Sequence, residues 1–187
     1  MNKIILASAS PRRFALLSKR GFEVVVRPSP FDEQSVNIKR PKQLVKALAF
    51  GKGDEVRREY PDDIVISADT IVVKDGKVLG KPKTRDEAFC MLRSLSNSTH
   101  LVYTGVCIAK GKKTKTFVSR AKVRFHPLTD VQIERYIDSG SPFDKAGSYG
   151  VQDDDGIGFV KSVKGELSCV IGLPIGRVIK ELQKIKE

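Results

Sequence analysis

DDIVISADTIVVKDGKVLGKP, residues 62–82, sets Ile64, Val65, Ile66, Ile71, Val72 and Val73 in a nearly unbroken β-branched run. Such a run predicts a central strand buried on both faces. Asp75-Gly76 is a hairpin turn signal, and Gly80-Lys81-Pro82 closes the stretch as a tight, lysine-bearing loop. One residue breaks the pattern. Asp69 falls on the side of the pleat shared with Val65, Ile71 and Val73. An ionised carboxylate in an apolar layer is costly unless it is paired or hydrogen-bonded. Either Asp69 caps a neighbouring backbone group, or it is a carboxylate held rigidly at the floor of a cleft.

Towards the N-terminus, Lys3 to Ala7 reads as a short strand, followed by Ser8-Ala9-Ser10-Pro11-Arg12-Arg13. Ser10 suits an N-cap whose side chain accepts a backbone N–H, and Pro11 suits the first helical position. Arg12 and Arg13 in the first turn oppose the helix dipole, so with the free N–H groups they make an anion site. Gly21 ends that helix, Phe22 to Val26 is a second strand, and Pro28 to Ile38 is a loop carrying Asp32 and Glu33. Pro41 to Arg58 reads as a helix with the apolar stripe Val45, Leu48, Ala49 and Val56. Lys52 falls inside that stripe, between Gly51 and Gly53. It either snorkels to solvent or points into a cleft, towards an anion or towards Asp69. As an unpaired cation it would burden the fold, so Lys52→Ala is expected to leave stability unchanged or improved.

Towards the C-terminus, Thr84 to Leu95 reads as a helix with a capping box of Thr84 and Glu87. His100 to Ala109 and Thr114 to Phe125 read as an antiparallel hairpin, and Thr129 with Gln132 opens another helix that ends near Gly140. Ser141 to Asp155, SPFDKAGSYGVQDDD, is glycine-rich yet carries Phe143, Tyr149 and Val151, which reads as an ordered binding loop. The Asp153–Asp155 run is read as solvated. Ile157 to Val163 is a strand, and Leu173-Pro174 leads into a basic helix.

The 187 residues fit one domain, 1–187, with a sizeable core, or two small lobes around a cleft. No apolar run spans a bilayer, and the short apolar stretch before Pro11-Arg12-Arg13 is no signal peptide, so a soluble protein is expected. Three scattered cysteines suit buried thiols in a reducing cytoplasm. Only two histidines, His100 and His126, are present, which argues against a histidine-ligated metal or a Ser-His-Asp triad. Acid–base work falls to carboxylates and lysines, and any metal is a hard, oxygen-liganded one such as magnesium. The net charge of +12 favours polyanionic partners, whether nucleic acid or small phosphates. A lysine-rich solvated surface gives the same balance.

In their order along the chain these stretches resemble the Maf family of nucleoside triphosphate pyrophosphatases. The match runs through Ser8-Ala9-Ser10-Pro11-Arg12-Arg13, Asp32-Glu33, Lys52, Ala68-Asp69-Thr70, Gly80-Lys81-Pro82 and His100–Gly105. It continues through Asp144–Gln152 and Gly172-Leu173-Pro174. The resemblance implies an α/β fold with a mixed twisted sheet, flanking helices and two lobes around a central cleft. It implies metal-dependent cleavage between the α- and β-phosphates, giving monophosphate and pyrophosphate, and a homodimer is usual in the family. Arg12, Thr70 and Gln152 match the branch acting on dTTP and UTP, as against the branch acting on methylated GTP. Ser67 stands where a glycine is usual, and Asp153 where a glycine usually follows the glutamine.

On that reading the substrate is held by Ser8, Ser10, Arg12, Arg13, Lys52, Thr70, Lys81, Lys145 and Gln152. Glu33 and Asp69 hold Mg2+ or Mn2+, and Asp69 is the catalytic residue. The family casts Asp69 as proton acceptor, but the surrounding cations favour a metal that acidifies the water, with Asp69 positioning both. Alternation puts Thr70 on the opposite face from Asp69, so a bulge or the strand's end is expected at Ala68-Asp69-Thr70. The rival class is a nucleic-acid-binding or cell-division protein, without need of a membrane. It explains the charge but leaves Asp69 and Lys52 without a role.

Overall fold

The β-branched run at the centre of the sequence becomes one long strand, Ile64–Lys74. In the computed structural model, which describes residues 3–152 and 158–186, the elements in chain order begin with β1 (Lys3–Leu6), α1 (Pro11–Ser18), β2 (Glu23–Val26) and α2 (Pro41–Glu59). They continue with β3 (Ile64–Lys74), β4 (Lys77–Leu79), α3 (Arg85–Leu95), β5 (Thr99–Lys110), β6 (Lys113–Phe125) and α4 (Asp130–Asp138). β7 (Val160–Lys164), α5 (Leu167–Ile171) and α6 (Ile175–Lys186) complete them. Among the described residues seven strands form one mixed sheet, in the order β2-β1-β3-β5-β6-β7 with β4 paired to β3. β1 runs parallel to β2 and to β3, and its last β3 partner is Ile66 opposite Leu6. The β3–β4 turn is Asp75-Gly76 with φ of 48° and 77°, the left-handed pair that a two-residue hairpin requires.

The chain forms two compact units. The first comprises Met1–Thr70, Thr104–Ser119 and Gly172–Glu187. Its core follows the two-residue period of the strands. Ile4, Leu6, Ile64 and Ile66 pack with Leu17, Val106, Ile108, Leu173, Val178 and Leu182. Ile5, Ala7 and Val65 face the other way and pack with Val56 of α2. The central strands are therefore buried on both faces, as their unbroken apolar runs require. Each fully buried Ile or Leu contributes on the order of 2 kcal/mol. Helix α2 sits close to the sheet because Gly105 in β5 has no side chain: a Cβ there would lie 2.2 Å from the Val45 carbonyl oxygen. Ser67 donates to the Ala49 carbonyl at 2.5 Å and ties α2 to β3.

The second unit comprises Ile71–Tyr103 and Arg120–Ile171. Helices α3 and α4 pack Leu92, Leu95, Ile133 and Ile137 against Val72, Val123 and Phe125, with Tyr149 and Phe159 filling the remainder. The glycine-rich segment is described over residues 141–152. It makes two 3-10 turns, Ser141–Asp144 and Ala146–Ser148. Gly147 donates to the Gly80 carbonyl at 2.9 Å. Its φ is 69°, and a Cβ on it would stand about 3 Å from Val72, so no side chain fits there.

Helix α5 was not expected, being too short for periodicity to reveal. The Thr129–Gln132 capping box forms in full. At α3 Thr84 accepts from the Glu87 amide, but the Glu87 carboxylate reaches back to Lys83 N instead of Thr84 N. Asp153–Asp155 and Ile157 lie outside the described residues, and β7 begins at Val160.

Candidate active site

Asp69 is buried on β3, and Lys52 of α2 reaches it at 2.5 Å from Nζ to Oδ1. The same ammonium lies 2.9 Å from Glu33 Oε1. The expectation of an unpaired lysine on an apolar stripe is thereby corrected. The stripe forms as read, with Val45, Leu48, Ala49 and Val56 buried, but Lys52 turns to the carboxylates because Gly51 and Gly53 let α2 lie close to its neighbours. A Cβ on Gly51 would strike the Phe31 ring, and one on Gly53 would strike Ser67 Oγ. Of the acidic pair, Asp32 caps the short turn Glu33–Ser35 by accepting from Gln34 N, which leaves Glu33 to face Lys52.

A second cluster centres on Arg13 of α1. Its Nε donates to the Gly172 carbonyl at 2.9 Å, Nη1 to Ser8 Oγ at 2.8 Å and Nη2 to Thr70 Oγ1 at 3.2 Å. Thr70 Oγ1 lies 2.9 Å from Thr104 Oγ1 of β5. Burial pushes the Arg13 guanidinium below its ordinary value; Asp69 opposes the shift, Arg12 adds to it and Glu33 opposes it. It stays charged, since arginine does not deprotonate in proteins. Ser8 Oγ accepts from Arg13 and from Ser10 N, so its own proton is left to donate to an anion.

Ser10 is the N-cap of α1 and Pro11 its first residue, but the Ser10 side chain makes no capping bond. The expected internal cap is thus absent; the Ser10 amide instead turns to Ser8 Oγ at 3.3 Å, and Ser10 Oγ is left for an outside partner. Of the two expectations at Ala68-Asp69-Thr70, a bulge or the strand's end, the strand's end is corrected, because β3 runs from Ile64 to Lys74. Alternation does hold: Asp69 addresses Lys52 on one face, Thr70 addresses Arg13 and Thr104 on the other. Both lie beyond Ile66, the last residue that β1 pairs, so that edge of β3 is not covered by β1 where they stand.

The remaining expected site residues belong to the second unit. Lys81 is exposed in the loop after β4. Lys145 is buried and donates to Ser141 O at 2.6 Å and to Asp144 Oδ1 at 2.7 Å, within its own turn. Gln152 is exposed at the last described position before residues 153–157. Sequence reasoning gave no role to Thr104 or to the Gly172 carbonyl. Their only signal was their place inside the stretches His100–Gly105 and Gly172–Pro174.

Glu33 and Asp69 are hard oxygen donors that already converge on one positive charge, the Lys52 ammonium. That donor set fits a divalent cation of the magnesium kind. Among the described residues no group of three His, Cys, Asp or Glu forms a protein-only cage, so phosphate and water oxygens would complete the shell. A cavity of about 450 Å³ lined by Phe31, Val36, Ile38 and Phe50 also opens on the first unit. None of the expected site residues lines it, and the charge clusters carry the chemistry instead.

A family model described as Maf-like protein matches residues 3–185. The dTTP/UTP pyrophosphatase of Bacillus cereus is 46% identical over 186 residues, covering 98% of this chain and 96% of that protein. The dTTP/UTP pyrophosphatase of a Geobacillus species is 43% identical over 185 residues, covering 99% of each. Among solved structures, the Ham1 protein of Staphylococcus aureus gives a TM-score of 0.48 at 13% identity, over 66% of this chain and 72% of that chain.

Proposed function

The chain belongs to the Maf-like protein family, and from that premise we propose that it hydrolyses dTTP and UTP to the monophosphate and pyrophosphate. The observation that carries the proposal is the Glu33–Lys52–Asp69 cluster: two carboxylates and a cation brought together by three separate segments.

Phosphoryl transfer asks the protein chiefly for positioning and charge. Arg12 in the first turn of α1, with the amides of that turn and the hydroxyls of Ser8 and Ser10, binds phosphate oxygens. Arg13 holds Ser8 and Thr70 in place. Asp69 Oδ1 is held by Lys52, while Oδ2 takes no hydrogen bond from a described residue and can orient the attacking water. The water oxygen bonds to the α-phosphorus, the bond to the bridging oxygen breaks, and the water proton passes to Asp69 or onward to solvent. When Mg2+ or Mn2+ is bound, Glu33 and Asp69 would hold it, and it supplies charge neutralisation and a more acidic water. Lys81 and Lys145 supply further positive charge towards the triphosphate, and Thr70 and Gln152 read the pyrimidine edge. The chain acts as one catalytic domain over 1–187. Free thiols at Cys90, Cys107 and Cys169 support a cytoplasmic setting.

The test is a panel of purified nucleotides with magnesium, methylated GTP among them, scored for pyrophosphate release. dTTP and UTP should turn over fastest and give pyrophosphate. Release of orthophosphate alone, or preference for a purine, would overturn the proposal.

A further inference from the structure

We propose that Phe31 is a positioning residue: its ring, seated on Gly51 of α2, holds the turn that carries Glu33 within reach of Lys52. The inference deepens the proposed function, because it rests on the reading of Glu33 as a carboxylate of the site.

Glu33 and Asp69 reach the same ammonium from unlike supports. Asp69 stands inside an 11-residue strand. Glu33 opens a turn of only 3 residues, Glu33–Ser35. Among the described residues, the hydrogen bonds of that segment are all local. Phe31 N donates to Ser29 Oγ and Gln34 N to Asp32 Oδ1. Ser35 donates to Asp32 O from both N and Oγ, and Val36 N donates to Glu33 O. These bonds shape the turn but tie it to no other element. The pair with Lys52 does reach α2, yet the Glu33 side chain is 55% exposed, and an ion pair so exposed holds a loop poorly.

Phe31 supplies the firmer attachment. It is half-buried, two residues before Glu33, and the tip of its ring fills the space over Gly51 where a side chain would begin. Gly51 directly precedes Lys52. The segment therefore meets α2 at two adjacent residues, the ring on Gly51 and the carboxylate on Lys52. The ring contact is apolar, so it persists whichever charged groups compete for Lys52.

Glycine at this place runs against helix propensity, since alanine is favoured in a helix interior and Gly51 lies buried inside α2. The seat for the ring gives that glycine a purpose. The cavity of about 450 Å³ is lined by Phe31 itself, with Val36, Ile38 and Phe50. A ring driven off Gly51 has that space to turn into, and the turn loses its hold on the helix.

The test uses kcat and KM for UTP under saturating magnesium, amide hydrogen exchange at Ser35 and Val36, and thermal melts. The variants are Phe31→Ala, Gly51→Ala, Glu33→Gln and the doubles Phe31→Ala/Glu33→Gln and Phe31→Ala/Gly51→Ala. Phe31→Ala should speed exchange at both amides and lower kcat roughly tenfold, the scale for losing a group that orients a ligand carboxylate. On the Glu33→Gln background the same substitution should lower kcat almost no further, because both changes act through one carboxylate. Gly51→Ala should keep or raise the melting temperature while lowering kcat and speeding exchange, and added to Phe31→Ala it should change kcat little more. A loss from Phe31→Ala that persists in full on the Glu33→Gln background would overturn the proposal, since it would mark a purely structural role. Unchanged kcat and exchange in Phe31→Ala would overturn it as well. Should Phe31→Ala not fold, Gly51→Ala decides alone, and full turnover with slow exchange there would overturn it. Full turnover of UTP in Glu33→Gln would instead overturn the reading of Glu33, and the inference falls with it. No turnover of UTP by the unsubstituted protein would overturn the proposed function itself.

Discussion

Lys52 Nζ lies 2.5 Å from Asp69 Oδ1, with the two side chains 13% and 12% exposed. Neither charge could sit so deep alone. The pair solves two local problems at once: a carboxylate in an apolar strand and a cation in an apolar helix stripe. It also leaves both groups beside the exposed Glu33 carboxylate, where a bound polyanion and its counter-cation would find them.

Lys52→Ala is therefore expected to destabilise the protein, against the expectation from sequence alone. The substitution removes the hydrogen bond to Asp69 and leaves a buried carboxylate with no hydrogen-bond partner among the described residues. Breaking such a pair from one side costs about 3 kcal/mol. Chemical denaturation measures it, and activity should fall in the same variant. An unchanged midpoint would mean that Asp69 finds another partner.

The second unit contains its own pH dependence. His100 is buried in the aromatic cluster, with Nε2 2.7 Å from the Tyr149 hydroxyl and Nδ1 without a partner. Burial, helped by Lys74, pushes it down to about 4 from an ordinary 6.5. The unfolded chain thus takes up a proton between those values while the folded protein does not, so stability falls as pH drops below about 6.5. The loss approaches about 3 kcal/mol near pH 4, at 1.36 kcal/mol per unit. His100→Gln, which does not titrate, should shrink the stability difference between pH 7 and pH 4.5. An equal difference in both proteins would assign the acid loss to carboxylates.

Much of this was legible in the sequence. The unbroken β-branched run around Asp69 predicted a strand buried on both faces, and period-two alternation placed Asp69 and Thr70 on opposite sides correctly. The stripe of α2 was readable from helical spacing, and so was the oddity of Lys52 within it. That Lys52 could point towards Asp69 was readable as one of two alternatives; that it pairs with Asp69 and Glu33 together was not, because those partners are 17 and 19 positions away in the chain and meet it only in the fold. The Ser10 cap failed for a similar reason: propensity favours a serine capping its own helix, whereas here the Ser10 amide turns to Ser8, itself held by Arg13. The expected strand end came from assuming a ligand must lie over one face. An edge that β1 leaves uncovered removes that need.

Gln152 offers a carbonyl and an amide to a pyrimidine edge. Gln152→Leu should erode the preference for UTP over CTP more than it lowers the best rate. The ratio of catalytic efficiencies for the two nucleotides measures this. If the ratio does not move, the base is read elsewhere, and Asp153 is the next residue to substitute.

The most direct measurement is the rate of pyrophosphate release from UTP by Asp69→Asn under saturating magnesium, with thermal melts in parallel. Asparagine keeps the shape and can still accept from Lys52, but it brings no negative charge to a metal and cannot take a proton. The account predicts a fall of roughly a thousandfold or more with the fold intact. Turnover within a few-fold of the unsubstituted protein would contradict it and leave Asp69 as a structural partner of Lys52 alone.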